Sequence, residues 1–513
     1  MKEKTNSEKS EKEIPLSSFS FGGNSENFSR IKKKVLLINP YWFIPDGYEE
    51  RAYPTIPCGI VYIASYLEKK GITVKILDTL LGGFETRTSS NGIVRIGMRY
   101  EDIERFINEF KPDIVGISCM FTSQSNALYD LSALIKKSFP KMPIVAGGHH
   151  VTSCLNEVMK DKNIDIAVKG EGEIAMYEIL TKKLSEVKNI CYRSGDNVIF
   201  TGDDPSHKLL DDFEISYNLI DIDKYHKANL RSGDVSQLQY EKKWMWVFTS
   251  RGCPFGCFFC SVQNVFGKLY RMRNSEKVLD EIEMLVKRYG INHILIGDDN
   301  FTLDIERAKS ILKGIIKRRL NVTWEATAGL RADRIDEELV GLMKKTGCKK
   351  VVIGVESGDD DYRARVIKKN LDIKNVFYAV DVLTKNGIDA NAFFILGMPG
   401  ETKNTMENTV NLAIKLARRG VFSHFSMASP MPSTEMTDIA IKEKLLVKQI
   451  EPIDLITIDE KPLIKVEGYT QEQLVKFRRK AIFLCLLNSF LYNPIRFFSK
   501  RSTKSIIKRK LKI

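Results

Sequence analysis

The sequence predicts an α/β protein built from two tandem parallel sheets. A doubly wound, Rossmann-like N-terminal domain precedes a partial (β/α)6 barrel and a basic, helical C-terminal extension. Three observations carry this prediction. Short strand-like runs, β-branched in the first set, alternate with helical patterns twice, first over 31–185 and again over 244–434. Between them, 186–243 is largely polar and irregular, as a linker is. Glycines and polar residues gather at the ends of the predicted strands, where open α/β sheets and barrels bind ligands.

The elements follow in order. Residues 1–30 are rich in Lys, Glu, Ser and Asn and read as a disordered lead-in. They lack the apolar core of a secretory signal, so a cytoplasmic location is expected. The first strands are VLLIN (35–39), TVKILD (73–78), DIVGISC (113–119), PIVAGG (143–148) and DIAVKG (165–170). Helical patterns fall at about 59–70, 101–110, 124–138, 152–160 and 173–185. In the linker, NICYRSGDNVIF reads as a small hairpin turning at Ser194-Gly195-Asp196-Asn197. The second set of strands is 244–250, 292–299, 322–330, 350–357, 389–397 and 422–429. Helices at about 275–289, 305–319, 336–346, 372–386 and 404–418 separate them. Six such units are too few to close an eight-unit barrel, so an open one is expected. Residues 435–470 connect to a helix that starts near 471 and ends near Pro494.

With 43% hydrophobic and 28% charged residues, the 513-residue chain is neither disordered nor fibrous overall. Its net charge of +14 is localised: 473–513 holds twelve Lys and Arg and no Asp or Glu. The body is therefore nearly neutral, which excludes nucleic acid as the expected partner. The basic and apolar end of the chain suits peripheral contact with an anionic membrane, or an ordinary packed helix followed by a solvated tail.

Nine cysteines make a disulfide framework improbable in such a chain. Cys58, Cys119, Cys154, Cys191, Cys348 and Cys485 are scattered and read as small buried hydrophobes. Cys253, Cys257 and Cys260 lie together directly after the first barrel strand. Three thiolates within eight residues can ligate one metal centre. Structural zinc usually takes four protein ligands, and no second Cys or His pair stands nearby. Three ligands on a four-iron cube leave one iron open. Structural cysteines or zinc remain the alternative.

This CxxxCxxC motif, with Phe259 before its last cysteine, resembles that of the radical S-adenosylmethionine (SAM) enzymes. GDDNF (297–301), LRAD (330–333), IGVESG (353–358), LGMPGE (396–401) and SPMPST (429–434) resemble that family's successive strand-end motifs. The resemblance implies a 4Fe-4S cluster on Cys253, Cys257 and Cys260, whose open iron holds SAM. It also implies an external one-electron donor of the flavodoxin or ferredoxin type. Phe259, Asp298, Asp299 and Asn300 would lie along the cofactor, the last three at its methionine part. Arg331 would neutralise its carboxylate, and Glu356 would accept from the ribose hydroxyls. Gly397 and Pro399 would offer backbone near the adenine.

By fold alone, the first sheet suits a nucleotide, a flavin or cobalamin. No GxGxxG follows its first strand, which ends in Asn39-Pro40-Tyr41. Residues 54–78, 113–118, 144–150 and 165–173 resemble the cobalamin-binding domain found ahead of many radical SAM domains. The expected corrin contacts are Ser118, Thr122, Ser123, Gly147, Gly148, His149, Gly170, Glu171 and Gly172. None of the six His sits in the Asp-x-His-x-x-Gly motif that supplies an axial ligand elsewhere, so no ligand of that kind is expected.

The tandem domains imply a cobalamin-dependent radical methyltransferase. A SAM-derived radical would remove hydrogen from an unactivated carbon or phosphorus centre, and methylcobalamin would supply the methyl group. The alternative is a non-methylating cobalamin-dependent cyclase or rearrangement enzyme, which the motifs do not separate. A methylthiotransferase is disfavoured, because second-cluster cysteines are missing. The intact triad argues against a catalytically silent binder. The substrate is expected to be a small or lipid-like molecule.

Overall fold

A computed structural model of the chain describes residues 33–204, 210–231 and 242–499. The expected lead-in (1–30) and the last basic residues (500–513) lie outside these. The first sheet contains β1 (Lys34–Asn39), β2 (Thr73–Asp78), β3 (Ile114–Ser118), β4 (Ile144–Gly147), β5 (Ile166–Val168), β6 (Ile190–Ser194) and β7 (Asn197–Phe200), in the order β7-β6-β5-β4-β3-β1-β2. β1 to β5 are parallel. The β6–β7 hairpin, assigned by sequence to the linker, instead extends this sheet antiparallel to β5.

The run VLLI in β1 explains the double winding. Val35 and Leu37 pack with α1 (Cys58–Lys69) and α4 (Gly172–Thr181). Leu36 and Ile38 pack with α2 (Tyr100–Phe110) and α3 (Ser125–Ser138). Alternate residues of one strand thus serve two separate cores, as a sheet covered on both faces requires. Strand order reverses between β1 and β3, which creates a ligand crevice at their carboxyl ends. A small sheet of Trp42–Pro45, Arg87–Ser90 and Ile93–Ile96, not anticipated from sequence, stands beside it.

The second sheet has six parallel strands in sequence order: β8 (Trp244–Val247), β9 (His293–Ile296), β10 (Thr323–Leu330), β11 (Cys348–Glu356), β12 (Asp389–Leu396) and β13 (Phe422–Met427). Helices α5 (Ser275–Tyr289), α6 (Ile305–Lys317), α7 (Glu337–Lys345), α8 (Ile373–Lys385) and α9 (Lys403–Ala417) follow the first five strands and share the largest hydrophobic core with them. The sheet does not close. Its edge strand β13 is covered by α10 (Gln471–Tyr492), which opens on a Thr470/Gln473 capping box and leads into α11 (Pro494–Ser499). Arg478 of α10 donates to Phe425 O (2.6 Å), and Asp459 accepts from Met427 N (3.0 Å). These bonds use backbone groups an edge strand would otherwise leave open.

Candidate functional site

The strand after β8 turns into the cysteine loop, where Ser250–Arg251 pairs with Arg271–Met272. The loop is pinned on several sides. Gln263 Nε2 donates to Phe255 O (2.9 Å) and Cys253 O (3.3 Å), and Phe258 N donates to Ile367 O (3.2 Å). Cys253, Cys257 and Cys260 are all half-buried. Burial pushes their thiols up, Cys260 to about 11, while Lys369 and Arg331 oppose this at Cys253 and Cys257. Such thiols need a metal to become thiolates at neutral pH. Three soft donors on one short, held loop beside two cations fit an iron–sulfur cluster, whose thiolate charge those cations offset.

The barrel strand ends divide into groups that build the site and groups that face it. Asp298 is buried, and its carboxylate accepts from Thr249 N (2.6 Å), Thr249 Oγ (2.5 Å) and Ser250 Oγ (2.5 Å). Expected along the cofactor, it instead anchors the strand that leads into the cysteine loop. Arg331 is likewise engaged by Asp333 (3.0 Å) and Asn370 O (2.8 Å), and stacks 3.9 Å from the Phe255 ring centroid. It supports the loop directly.

Asp299 is half-buried and accepts from Gly252 N at 3.0 Å. Asn300 Oδ1 is buried with no hydrogen-bond partner among the described residues. Glu356 holds a positive φ of 70°, rare for a residue with a side chain, and pairs with Lys369 at 2.8 Å. Buried Glu401 accepts from Gly397 N (2.6 Å) and Met398 N (3.0 Å), shaping the turn that carries Gly397 and Pro399. Its other oxygen has no partner among the described residues, and burial raises its pKa to about 8. Phe259 packs edge-on to Phe258 (6.3 Å). An unpaired buried acceptor and a strained acidic residue, both at strand ends, fit a polar cofactor such as SAM.

The first sheet presents a different edge. Ser118, Thr122 and Ser123 are half-buried, while Met120 and Phe121 between them are 57% and 48% exposed at the crevice. A Cβ at Gly147 would meet nothing within 4 Å, so open space faces its backbone. Gly148 has φ 108°, and a Cβ there would lie 2.5 Å from Cys119 O, so only glycine fits. Thr122 Oγ lies 3.2 Å from His150 Nδ1, and the His149 ring lies 5.9 Å from Phe266 across the domain boundary. Burial lowers both histidines, His150 to about 4, so both stay neutral. This open, apolar, glycine-edged crevice fits a large flat group such as a corrin. Gly170 packs against the second domain, 3.3 Å from Val265 O to a Cβ, and Gly172 against Ile63.

Glu171, a further expected corrin contact, is also engaged across the domain boundary. Rather than facing the crevice alone, its carboxylate binds Arg251 through one oxygen and Arg271 through the other (2.6 Å). Arg251 also binds Glu173 (2.7 Å) and lies over Tyr62 (4.9 Å). Burial alone would lower the Arg251 pKa, but Glu173 and Glu171 raise it. Arg251 stands two residues before Cys253. The ion pairs therefore lock the carboxyl edge of the first sheet to the root of the cysteine loop.

Known proteins match both halves. The family model for the radical SAM superfamily matches residues 247–413, and that for the B12 binding domain matches 48–180. An uncharacterized methyltransferase of Pyrococcus horikoshii is 32% identical over 435 residues, covering 83% of this chain and 86% of that protein. The chain belongs to the cobalamin-binding radical SAM enzymes. The cytidylyl-2-hydroxyethylphosphonate methyltransferase of Streptomyces wedmorensis is 29% identical, covering 81% of this chain and 83% of its own. The anaerobic magnesium-protoporphyrin IX monomethyl ester cyclase of Rubrivivax gelatinosus is also 29% identical, covering 86% and 75%. The fold matches that of the radical SAM methyltransferase TsrM from Kitasatospora setae, solved with cobalamin and a 4Fe-4S cluster (TM-score 0.67, 18% identity, 93% and 99% covered).

As a radical SAM enzyme, this chain uses a 4Fe-4S cluster, SAM and cobalamin. Its barrel lumen adds residues that sequence reasoning missed. In β12, Ala392, Phe394 and Leu396 face the helical layer, which turns Phe393 and Ile395 to the lumen. Phe393 pairs in register with His424 of β13, and Ile395 with Ser426. Phe393 is 37% exposed and Ser426 is exposed, so the lumen is open at this level. His424 lies 3.3 Å from Asn391 Nδ2, with Phe393 and Phe422 rings at 5.1 and 4.6 Å. The Glu356–Lys369 pair lies over Gly354, the register partner of Phe393.

Proposed function

We propose that this enzyme methylates an unactivated carbon or phosphorus centre of a small or lipid-like molecule held in the barrel lumen. The observation that carries the reading is the Arg251–Glu171 clamp, which joins the corrin crevice to the cysteine loop beside the open lumen. When bound, the cluster and SAM supply a radical that removes hydrogen, and methylcobalamin supplies the methyl group.

The protein's share is binding, orientation and shielding. Cys253, Cys257 and Cys260 would hold the cluster, and a flavodoxin- or ferredoxin-type donor would reduce it. Phe259, Asp299, Asn300, Glu356, Gly397 and Pro399 would border SAM, with Asp298 and Arg331 holding that frame from behind. Ser118, Thr122, Ser123, Gly147, Gly148, His149, Gly170 and Gly172 would border the corrin. Phe393 and Phe422 give the substrate an apolar wall, and the His424 imidazole with Ser426 gives it hydrogen bonds. The test is anaerobic turnover with methyl-labelled SAM over a panel of candidate substrates. Product heavier by one methylene and carrying the label is expected. The cyclase relative favours a second reading, in which the same lumen yields an unlabelled product that has lost hydrogen.

A further inference from the structure

The surface of the C-terminal extension is not explained by this chemistry. α10 packs Leu474, Ala481 and Cys485 into the barrel core. Its opposite face carries large apolar side chains too, and no element among the described residues covers it. Lys476, Lys480, Phe483, Leu487, Phe490 and Leu491 are all exposed, and their spacing places them in one stripe along the helix. The stripe has a polarity: cations occupy its first turns and large apolar side chains its last. Phe483 and Leu491 are each 61% exposed. The stripe continues into α11, where Phe498 is 56% exposed and its ring lies 5.9 Å from that of Phe490.

We propose that the outer faces of α10 and α11 dock on an anionic lipid bilayer. Three arguments select this occupant. The segment 473–513 carries twelve Lys and Arg with no Asp or Glu, which complements phosphate head groups. A second copy of the chain would bring two such segments together, and like charges at an interface oppose association. The exposed leucines and phenylalanines suit insertion at the head-group and acyl boundary, whereas no described helix is long and apolar enough to cross a membrane. The face is also fixed in place. Arg478 ties α10 to Phe425 O and to Asp459 (2.6 Å), so a docked bilayer lies beside β13, the strand that turns His424 and Ser426 into the lumen.

The test is flotation of the full chain, prepared anaerobically, with phosphatidylcholine vesicles and with vesicles that also contain phosphatidylglycerol. Binding to the anionic vesicles that weakens with salt is expected. Phe483→Ser with Leu491→Ser should weaken it at least tenfold. Lys476→Gln with Lys480→Gln should weaken it about fivefold per cation removed. All four positions are exposed, so the thermal midpoint should not move, which separates lost docking from lost folding. Binding unchanged in both variants overturns the proposal, as does equal affinity for neutral and anionic vesicles. A concentration-dependent dimer abolished by the serine variant, without vesicle binding, assigns the face to a second copy and also overturns it. So does binding to single-stranded RNA in place of vesicles. Methyl transfer does not enter the readout, so failure here leaves the proposed reaction standing.

Discussion

The two carboxyl edges of this enzyme face each other yet are built on opposite principles. At the barrel edge, acidic and basic side chains are spent on one another, on hydroxyls and on backbone: Asp298 on Thr249 and Ser250, Arg331 on Asp333, Glu401 on two amides. At the first sheet's edge, glycine backbone and exposed Met120 and Phe121 border open space. The difference follows the ligands. A charged, flexible cofactor has to be held by polar groups that are themselves fixed. A large flat ring needs area and close backbone approach. If this contrast is right, the two edges should fail separately when attacked at their own groups, and together when attacked at the clamp between them.

The largest separable effect is expected from Cys253→Ala. Iron should fall from about four per chain to near none, and turnover to the detection limit, because a cube held by two thiolates is not retained. Cobalamin content should be unchanged, since no cysteine of the loop belongs to the first sheet. Iron and cobalamin quantification after anaerobic reconstitution reads both. Joint loss of the two cofactors would mean that the edges are not independent.

Glu171→Gln attacks the clamp. It takes a carboxylate from Arg251 and Arg271, whose side chains are only 12% and 8% exposed. A fully buried pair broken this way costs about 3–5 kcal/mol. Glu171 keeps 25% of its side chain exposed, so a loss of about 2–3 kcal/mol in anaerobic urea unfolding is expected. Unlike Cys253→Ala, it should reduce both cofactors together. Retention of both would reduce the clamp to a surface contact.

Glu171 also marks how far the sequence could be read. Its place at a strand end was legible from the glycines around it. Its partners were not, because Arg251 and Arg271 are 80 and 100 residues away in the chain. The strand–helix alternation was legible because most strands are short, largely apolar runs set between amphipathic helical patterns. The small sheet was not: its strands have four residues each, and one of them, RTSS, carries no apolar signal. The pattern at 152–160 reads as one helix, yet the chain breaks at Cys154 into His149–Ser153 and Leu155–Val158. In DANAFFIL, two adjacent phenylalanines point to opposite faces, and period-two reading cannot say which one lines the lumen. Motif register likewise placed Asp298 and Arg331 at the strand ends, but it did not reveal that Thr249, Ser250 and Asp333 engage them.

The smallest effect separates the edges by pH. Each edge buries neutral titratable groups, and Glu401 and His150 have opposite signs. Glu401 is raised by burial from its ordinary 4.5 to about 8. Between those values the folded barrel holds a proton that the unfolded chain releases, so its contribution to stability is full below about 4.5 and is lost as pH climbs towards 8. His150 is lowered by burial from 6.5 to about 4. There the unfolded chain binds the extra proton, so the contribution is full above about 6.5 and is lost as pH falls towards 4. Alkali should therefore loosen the barrel edge and acid the corrin edge. Glu401→Gln keeps a neutral acceptor for Gly397 N and Met398 N. It should match the parent near pH 5 and exceed it above pH 8, by about 1 kcal/mol or more. His150→Asn should shrink the acid limb alone, His149 keeping part of it. Urea unfolding of the parent and both variants from pH 4 to 9 reads the two limbs. If either variant flattens both, the edges share one cooperative unit, and the contrast between them holds for ligand chemistry but not for stability.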